Sequence, residues 1–163
     1  REGALVDTIK RASREHGVPW ENLELEITEG LLMDDLPESK VTFRELNAMG
    51  MRFSLDDFGT GYSSFSHLYQ LPYDTLKIDR AFVTNLPDDE NAVAIVRAII
   101  SMANSLNLTI IAEGVETENQ VSFLHALGCQ VGQGYLFSKP VESAQFVKLL
   151  TKDRGLFLAA ERA

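Results

Sequence analysis

The sequence is poor in the residues that staple or crosslink a fold: it has one cysteine, Cys129, one tryptophan and three histidines in 163 residues. A lone thiol excludes an internal disulfide framework and fits a reducing compartment. His16, His67 and His125 lack metal-ligand spacing, so surface or packing roles are expected of them. Basic residues are also scarce, 15 Lys and Arg against 24 Asp and Glu, a formal charge of −9. So acidic a chain argues against a broad electrostatic footprint on DNA or RNA. It leaves room for one small phosphorylated ligand, because bound divalent metals reverse the charge of a local pocket. No apolar run approaches the roughly 18 residues of a membrane span, and no signal peptide is visible. Repeats, low-complexity tracts and internal linkers are missing as well. What remains is ordinary globular composition, 45% hydrophobic and 24% charged. A soluble cytoplasmic domain with one core is expected.

The pattern alternates helix and strand. Helices are expected over 4–16, 38–49, 91–106, 118–127 and 142–151, and strands over 23–27, 52–56, 75–79, 109–113 and 131–137. Gly17 and Pro19 should stop the first helix, whose apolar side carries Leu5, Ile9 and Ala12, and Gly50 the second. Strand parity adds information. Glu24 and Glu26 share a face, as do Ser54 and Asp56, and Lys77 and Asp79, whereas Leu23, Leu25 and Ile27 share the opposite one. An open doubly wound sheet would be apolar on both faces. A TIM-type (β/α) barrel of parallel strands with a polar upper interior explains the pattern better.

Four of the five strands end in ionisable groups: Glu26 with Glu29, Asp56 with Asp57, Lys77 with Asp79, and Glu113 with Glu116. The fifth carries Gln133. In a barrel these ends converge on the rim where active sites lie. Oxygen ligands at that density suit magnesium or manganese. The tandem Asp56-Asp57 suits two metals about 3.5–4 Å apart, which could clamp a phosphodiester. An enolase-like barrel, with acids on successive strand ends and a lysine base, is a rival chemistry. The residues alone thus indicate a metal-dependent barrel enzyme whose substrate stays open. Cys129 and Trp20 are expected to be structural, and Gly59-Thr60-Gly61 to supply a hinge.

Five strings resemble the EAL family of cyclic di-GMP phosphodiesterases, in the family's order. They are Glu24-Leu25-Glu26-Ile27-Thr28-Glu29, Asp56-Asp57-Phe58-Gly59-Thr60-Gly61-Tyr62-Ser63-Ser64, Leu76-Lys77-Ile78-Asp79, Ala112-Glu113-Gly114-Val115-Glu116 and Gln133-Gly134-Tyr135-Leu136-Phe137-Ser138-Lys139-Pro140. The resemblance implies hydrolysis of cyclic di-GMP to linear pGpG with two ions, Mg2+ or Mn2+. It makes Glu26 and Asp56 ligands of the first ion, and Asp56, Asp57 and Glu113 ligands of the second. Lys77 would contact the attacking water or a phosphate oxygen, and Gln133 would support the water network. Glu116 would lie behind the ligands, and Glu29 would anchor the loop after Asp57. Asp79, Phe137 and Pro140 would border the substrate.

The resemblance covers about the last two-thirds of the family's domain. Residues 1–153 are therefore expected to be its C-terminal part, an incomplete barrel of about five strands, with 154–163 a tail. The opening strands, with the Glu-Ala-Leu segment, lie outside the stretch that the resemblance covers, and a sensory or GGDEF domain is expected upstream in the parent protein. A non-catalytic cyclic di-GMP receptor and an interaction fragment are the alternatives. A homodimer is expected through helix 91–106. Its apolar residues read as two stripes, Ile95, Ile99, Met102 and Leu106 against Val93, Val96, Ile100 and Ala103, and the second stripe is expected to face a partner.

Overall fold

A computed structural model describes residues 2–28, 37–59 and 71–152. Helix α1 (Glu2–His16) ends where Gly17 turns left-handed at φ +63°, a conformation glycine enters without a Cβ penalty. Its buried residues are Val6 and Ser13, while Leu5 and Ala12 are exposed, so the covered stripe is rotated from the expected one. Ser13 can be buried because its hydroxyl donates to Val18 O at 2.7 Å. A single 3-10 turn at Trp20–Asn22 leads into strand β1 (Glu24–Thr28). Helix α2 (Pro37–Ala48) ends at Gly50, φ +96°, where Met51 N donates back to Leu46 O at 3.2 Å. That is the Schellman pattern expected of a glycine stop.

Strands β2 (Arg52–Phe58), β3 (Thr75–Ile78), β4 (Thr109–Glu113) and β5 (Val131–Gln133) follow, with helices α3 (Arg80–Val83), α4 (Glu90–Ser105), α5 (Glu118–Ala126) and α6 (Ser143–Lys152). The strand order in the sheet is the chain order, β1-β2-β3-β4-β5. Pairing is parallel, with Glu26 opposite Ser54 and Thr28 opposite Asp56 on β1 and β2, and Glu113 opposite Gln133 on β4 and β5. Three of the strand ends that bear on the site differ from expectation. β2 runs two residues further and takes in Asp57 and Phe58. β3 stops before Asp79, which instead caps α3, a helix too short to leave a periodic signal. β5 stops at Gln133, because Gly134 to Ser138 bond locally, Ser138 N donating to Gly134 O.

The chain divides into two compact units rather than the single core expected from its length. The first comprises residues 1–77 with 103–109, and its core includes Ile27, Leu46, Met51, Phe53 and Leu55. Phe43 meets Phe53 edge-on, with ring centroids 5.6 Å apart. The second comprises 78–102 with 110–163, and its core includes Ile78, Val83, Ile110, Ala112, Val115 and Leu124. Strand parity holds in β2: Phe53 and Leu55 are buried on one face, Ser54 and Asp56 alternate with them.

The two-stripe reading of α4 is corrected. Val96, Ile99, Ile100, Ala103 and Ala92 are all buried, at i, i+3, i+4, i+7 and i−4 from Val96. That spacing is one broad apolar stripe, which the sequence had divided in two. Val96 and Ile100 therefore belong to the core and face no partner; Ile95 is the large apolar residue that this helix exposes. Among the described residues no helix is long and apolar enough to cross a membrane. Residues 154–163 lie outside the described residues.

Candidate functional site

In the first unit three of the expected site residues meet. Lys77, buried on β3, donates from Nζ to Glu26 Oε1 at 2.8 Å and is ion-paired with Asp56 Oδ1 at 3.2 Å. The parallel register produces this meeting, since Glu26, Ser54 and Asp56 occupy one face of β1 and β2. Lys77 lies buried while Glu26 is 57% exposed, so the cation is held from below and the acids look outward. Asp56 is intermediate, its side chain 18% exposed. Two carboxylates against one ammonium leave the cluster net negative, and Asp57 adds a further acid beside it.

Asp57 has φ +55°, left-handed although it lies within β2. Aspartate tolerates this region better than most residues, at a cost of about 1–2 kcal/mol. Its N–H donates to Asp56 Oδ1 at 3.0 Å, which fixes the Asp56 carboxylate. The left-handed residue also breaks two-face alternation, so tandem acids are not forced to opposite faces of the sheet.

In the second unit Glu113 ends β4, half-buried, opposite the exposed Gln133. Glu116 Oε1 accepts from Arg80 at 2.9 Å, an exposed pair. The turn between the two glutamates holds Gly114 at φ +68°. A Cβ there would meet the Arg80 stem, with Cβ and Cδ at 2.8 and 2.9 Å. Asp79 Oδ1 accepts from Ala81 N at 2.7 Å as the N-cap of α3. The Phe137 ring lies over Gly132, 3.2 Å from where a Cβ would stand, and Pro140 is exposed. Glu29 lies outside the described residues, as do Thr60 and Gly61. Burial pushes the Cys129 thiol above its ordinary value, in keeping with the structural role expected of it.

Two functional-looking residues escaped the sequence reading, Arg80 and Gln120. The second had a signal: Thr117-Glu118-Asn119-Gln120 fits the capping-box pattern, and both of its hydrogen bonds form.

The donor chemistry suits a hard divalent cation, because carboxylate oxygens already converge on a positive group. The count is partial: among the described residues no three acids, histidines or cysteines stand close enough to hold a metal.

The family described as EAL domain matches residues 1–140. The bifunctional diguanylate cyclase/cyclic di-GMP phosphodiesterase MucR of Pseudomonas aeruginosa is 46% identical over 143 residues, 88% of this chain and 21% of that protein. The chain therefore spans about a fifth of that relative's length. Among solved structures, the MucR phosphodiesterase in complex with c-di-GMP superposes with a TM-score of 0.82 at 46% identity, covering 87% of this chain and 57% of that one. A Klebsiella pneumoniae BlrP1 structure with manganese and cyclic di-GMP superposes at 0.74 and 31% identity, covering 85% and 34%.

Proposed function

The chain belongs to the EAL domain family, whose fold is the TIM-type barrel, and from that premise we propose that it is the C-terminal part, residues 1–153, of a cyclic di-GMP phosphodiesterase domain. The observation that carries the reading is the convergence of Glu26 and Asp56, on neighbouring strands, on buried Lys77. Asp57 beside them holds a left-handed backbone conformation, and strain of this kind clusters at functional sites.

Glu26, Asp56, Asp57 and Glu113 are the residues that would hold two divalent cations, magnesium or manganese by their oxygen donors. When bound, such ions supply charge stabilisation to the oxygens of a phosphodiester under in-line attack. Lys77 keeps a positive charge beside Glu26 and Asp56, which holds both carboxylates oriented before a ligand arrives. It also offers N–H donors to a phosphate oxygen or to the attacking water. Gln133 supports the water network from the end of β5, Glu116 stands behind the ligands in the turn after β4, and Glu29 anchors the loop after Asp57. Asp79, Phe137 and Pro140 border the nucleotide. The product is linear pGpG. The setting is cytoplasmic second-messenger signalling, in a longer protein with a sensory or GGDEF domain upstream. A homodimer contact near α4 is part of the reading, with Ile95 rather than Val96 or Ile100 facing outward.

The test is pGpG release by the full-length protein with magnesium or manganese. Glu113→Gln keeps size and removes charge, and turnover should fall at least about a hundredfold. A variant keeping more than a tenth of the rate would remove Glu113 from the ligand set. Binding of cyclic di-GMP without release of pGpG by the wild type would replace the enzyme by a receptor.

A further inference from the structure

Gln120, at the third position of α5, is 4% exposed, and both ends of its amide are engaged. Oε1 accepts from Glu116 N at 2.8 Å and from Thr117 N at 3.0 Å. Nε2 donates to Val83 O at 3.1 Å and to Thr84 O at 3.3 Å. Its backbone N–H donates to Thr117 Oγ1 at 3.2 Å, which completes the capping box.

A capping box by itself accepts glutamate as readily as glutamine. Here the far end of the side chain faces two carbonyls at the C-terminal end of α3, where only a donor fits. A carboxylate would set a negative charge against two carbonyl dipoles in a buried place. Gln120 is thus more than a cap. It ties the turn that follows Glu113 to the helix that follows β3, within one compact unit. The ion pair on that turn, Arg80 to Glu116, is exposed on both sides and contributes little rigidity. Gly114 at φ +68° supplies the bend and, having no side chain, nothing to hold it.

We propose that Gln120 is a positioning residue for Glu113 and Glu116, setting the path on which the chain leaves β4 between them. The proposal deepens the phosphodiesterase reading and rests on it for its catalytic consequence. The decisive variant is Gln120→Glu in the full-length protein, because it preserves the capping box and removes the donor. Hydrogen exchange at the Glu116 and Thr117 amides should quicken at least about tenfold while β4 amides keep their protection. Turnover per folded molecule should fall at least about tenfold, with KM for cyclic di-GMP within about twofold. Thr117→Ala, which breaks the box and leaves the bridge, should lower stability but leave that turnover within about twofold. Gln120→Met, neutral and of similar length, replaces Gln120→Glu if the latter does not fold, with the same expectations.

Wild-type exchange at Glu116 and Thr117 in either Gln120 variant would overturn the proposal. So would faster exchange throughout β4 in parallel, which marks a general loss of packing. If the wild-type protein releases no pGpG, the phosphodiesterase reading fails by itself, and the exchange measurement still decides whether Gln120 holds the turn.

Discussion

The two compact units fix their acids by different means. In the first, Glu26 and Asp56 are held by a buried charge, the Lys77 ammonium, at 2.8 and 3.2 Å. In the second, Glu113 and Glu116 flank a turn held by neutral amides and by close backbone approach. Val115 N donates to Gln133 O at 3.0 Å, Leu136 N donates to Val115 O at 3.1 Å, and Gln120 closes the turn from inside. The units also differ in polar satisfaction. Gln120 makes use of its whole side chain, while Ser54 Oγ and Tyr73 Oη in the first unit are buried without a partner among the described residues. Charge pairing tolerates a shift in distance but depends on keeping both signs. Backbone packing carries no charge but tolerates no added volume. Each arrangement should therefore break under a different substitution.

The largest effect is expected in the second unit. A Cβ on Gly134 would fall on the backbone of Val115, which has no side-chain freedom with which to move aside. Gly134→Ala should cost about 3 kcal/mol in urea unfolding, at the upper end of overpacking penalties. A loss below about 1 kcal/mol would show that the turn yields, and that its rigidity does not come from close packing. The charge-held unit should lose less. Lys77→Met removes the cation but leaves Glu26 half in water, where it can relax. About 2 kcal/mol is expected by the same measurement, below the 3–5 kcal/mol of a fully buried pair. A loss matching that of Gly134→Ala would erase the contrast between the two modes.

The acids were legible because carboxylates late in a strand carry a plain signal: Glu26 and Asp56 sit on the face that residue alternation assigns them. The ties behind them were not. Lys77 was visible as a polar residue on β3, but its pairing with both Glu26 and Asp56 depends on register, which no local pattern encodes. Gln120 matched a capping motif, yet its second job needs Val83 and Thr84, some 37 residues away in sequence. Asp79 was read as a strand-end acid because a four-residue helix cannot show a period. The stripes on α4 failed for a related reason. An apolar face wide enough to cover the core looks like two narrow ones until its neighbours are known.

The smallest expected effect sharpens the comparison from the unsatisfied side. Tyr73 is buried, and its hydroxyl has no hydrogen-bond partner among the described residues. Tyr73→Phe removes a desolvated polar atom and keeps the ring, so it should be neutral or stabilising by up to about 1 kcal/mol. Burial pushes the Tyr73 phenol well above its ordinary value, which gives the substitution a pH signature. Below about pH 10 both folded and unfolded chains keep this proton, and it adds no pH dependence. As pH rises past about 10, the unfolded chain ionises Tyr73 while the folded chain holds the proton. The wild type then loses up to about 1.4 kcal/mol per pH unit from this group, a loss the phenylalanine variant lacks. Urea unfolding of both proteins at about pH 8 and about pH 11 cancels every other group they share. The variant's advantage should widen at the higher pH. A parallel decline would mean that Tyr73 reaches solvent or a partner, and that the first unit keeps its hydroxyls as well satisfied as the second keeps Gln120.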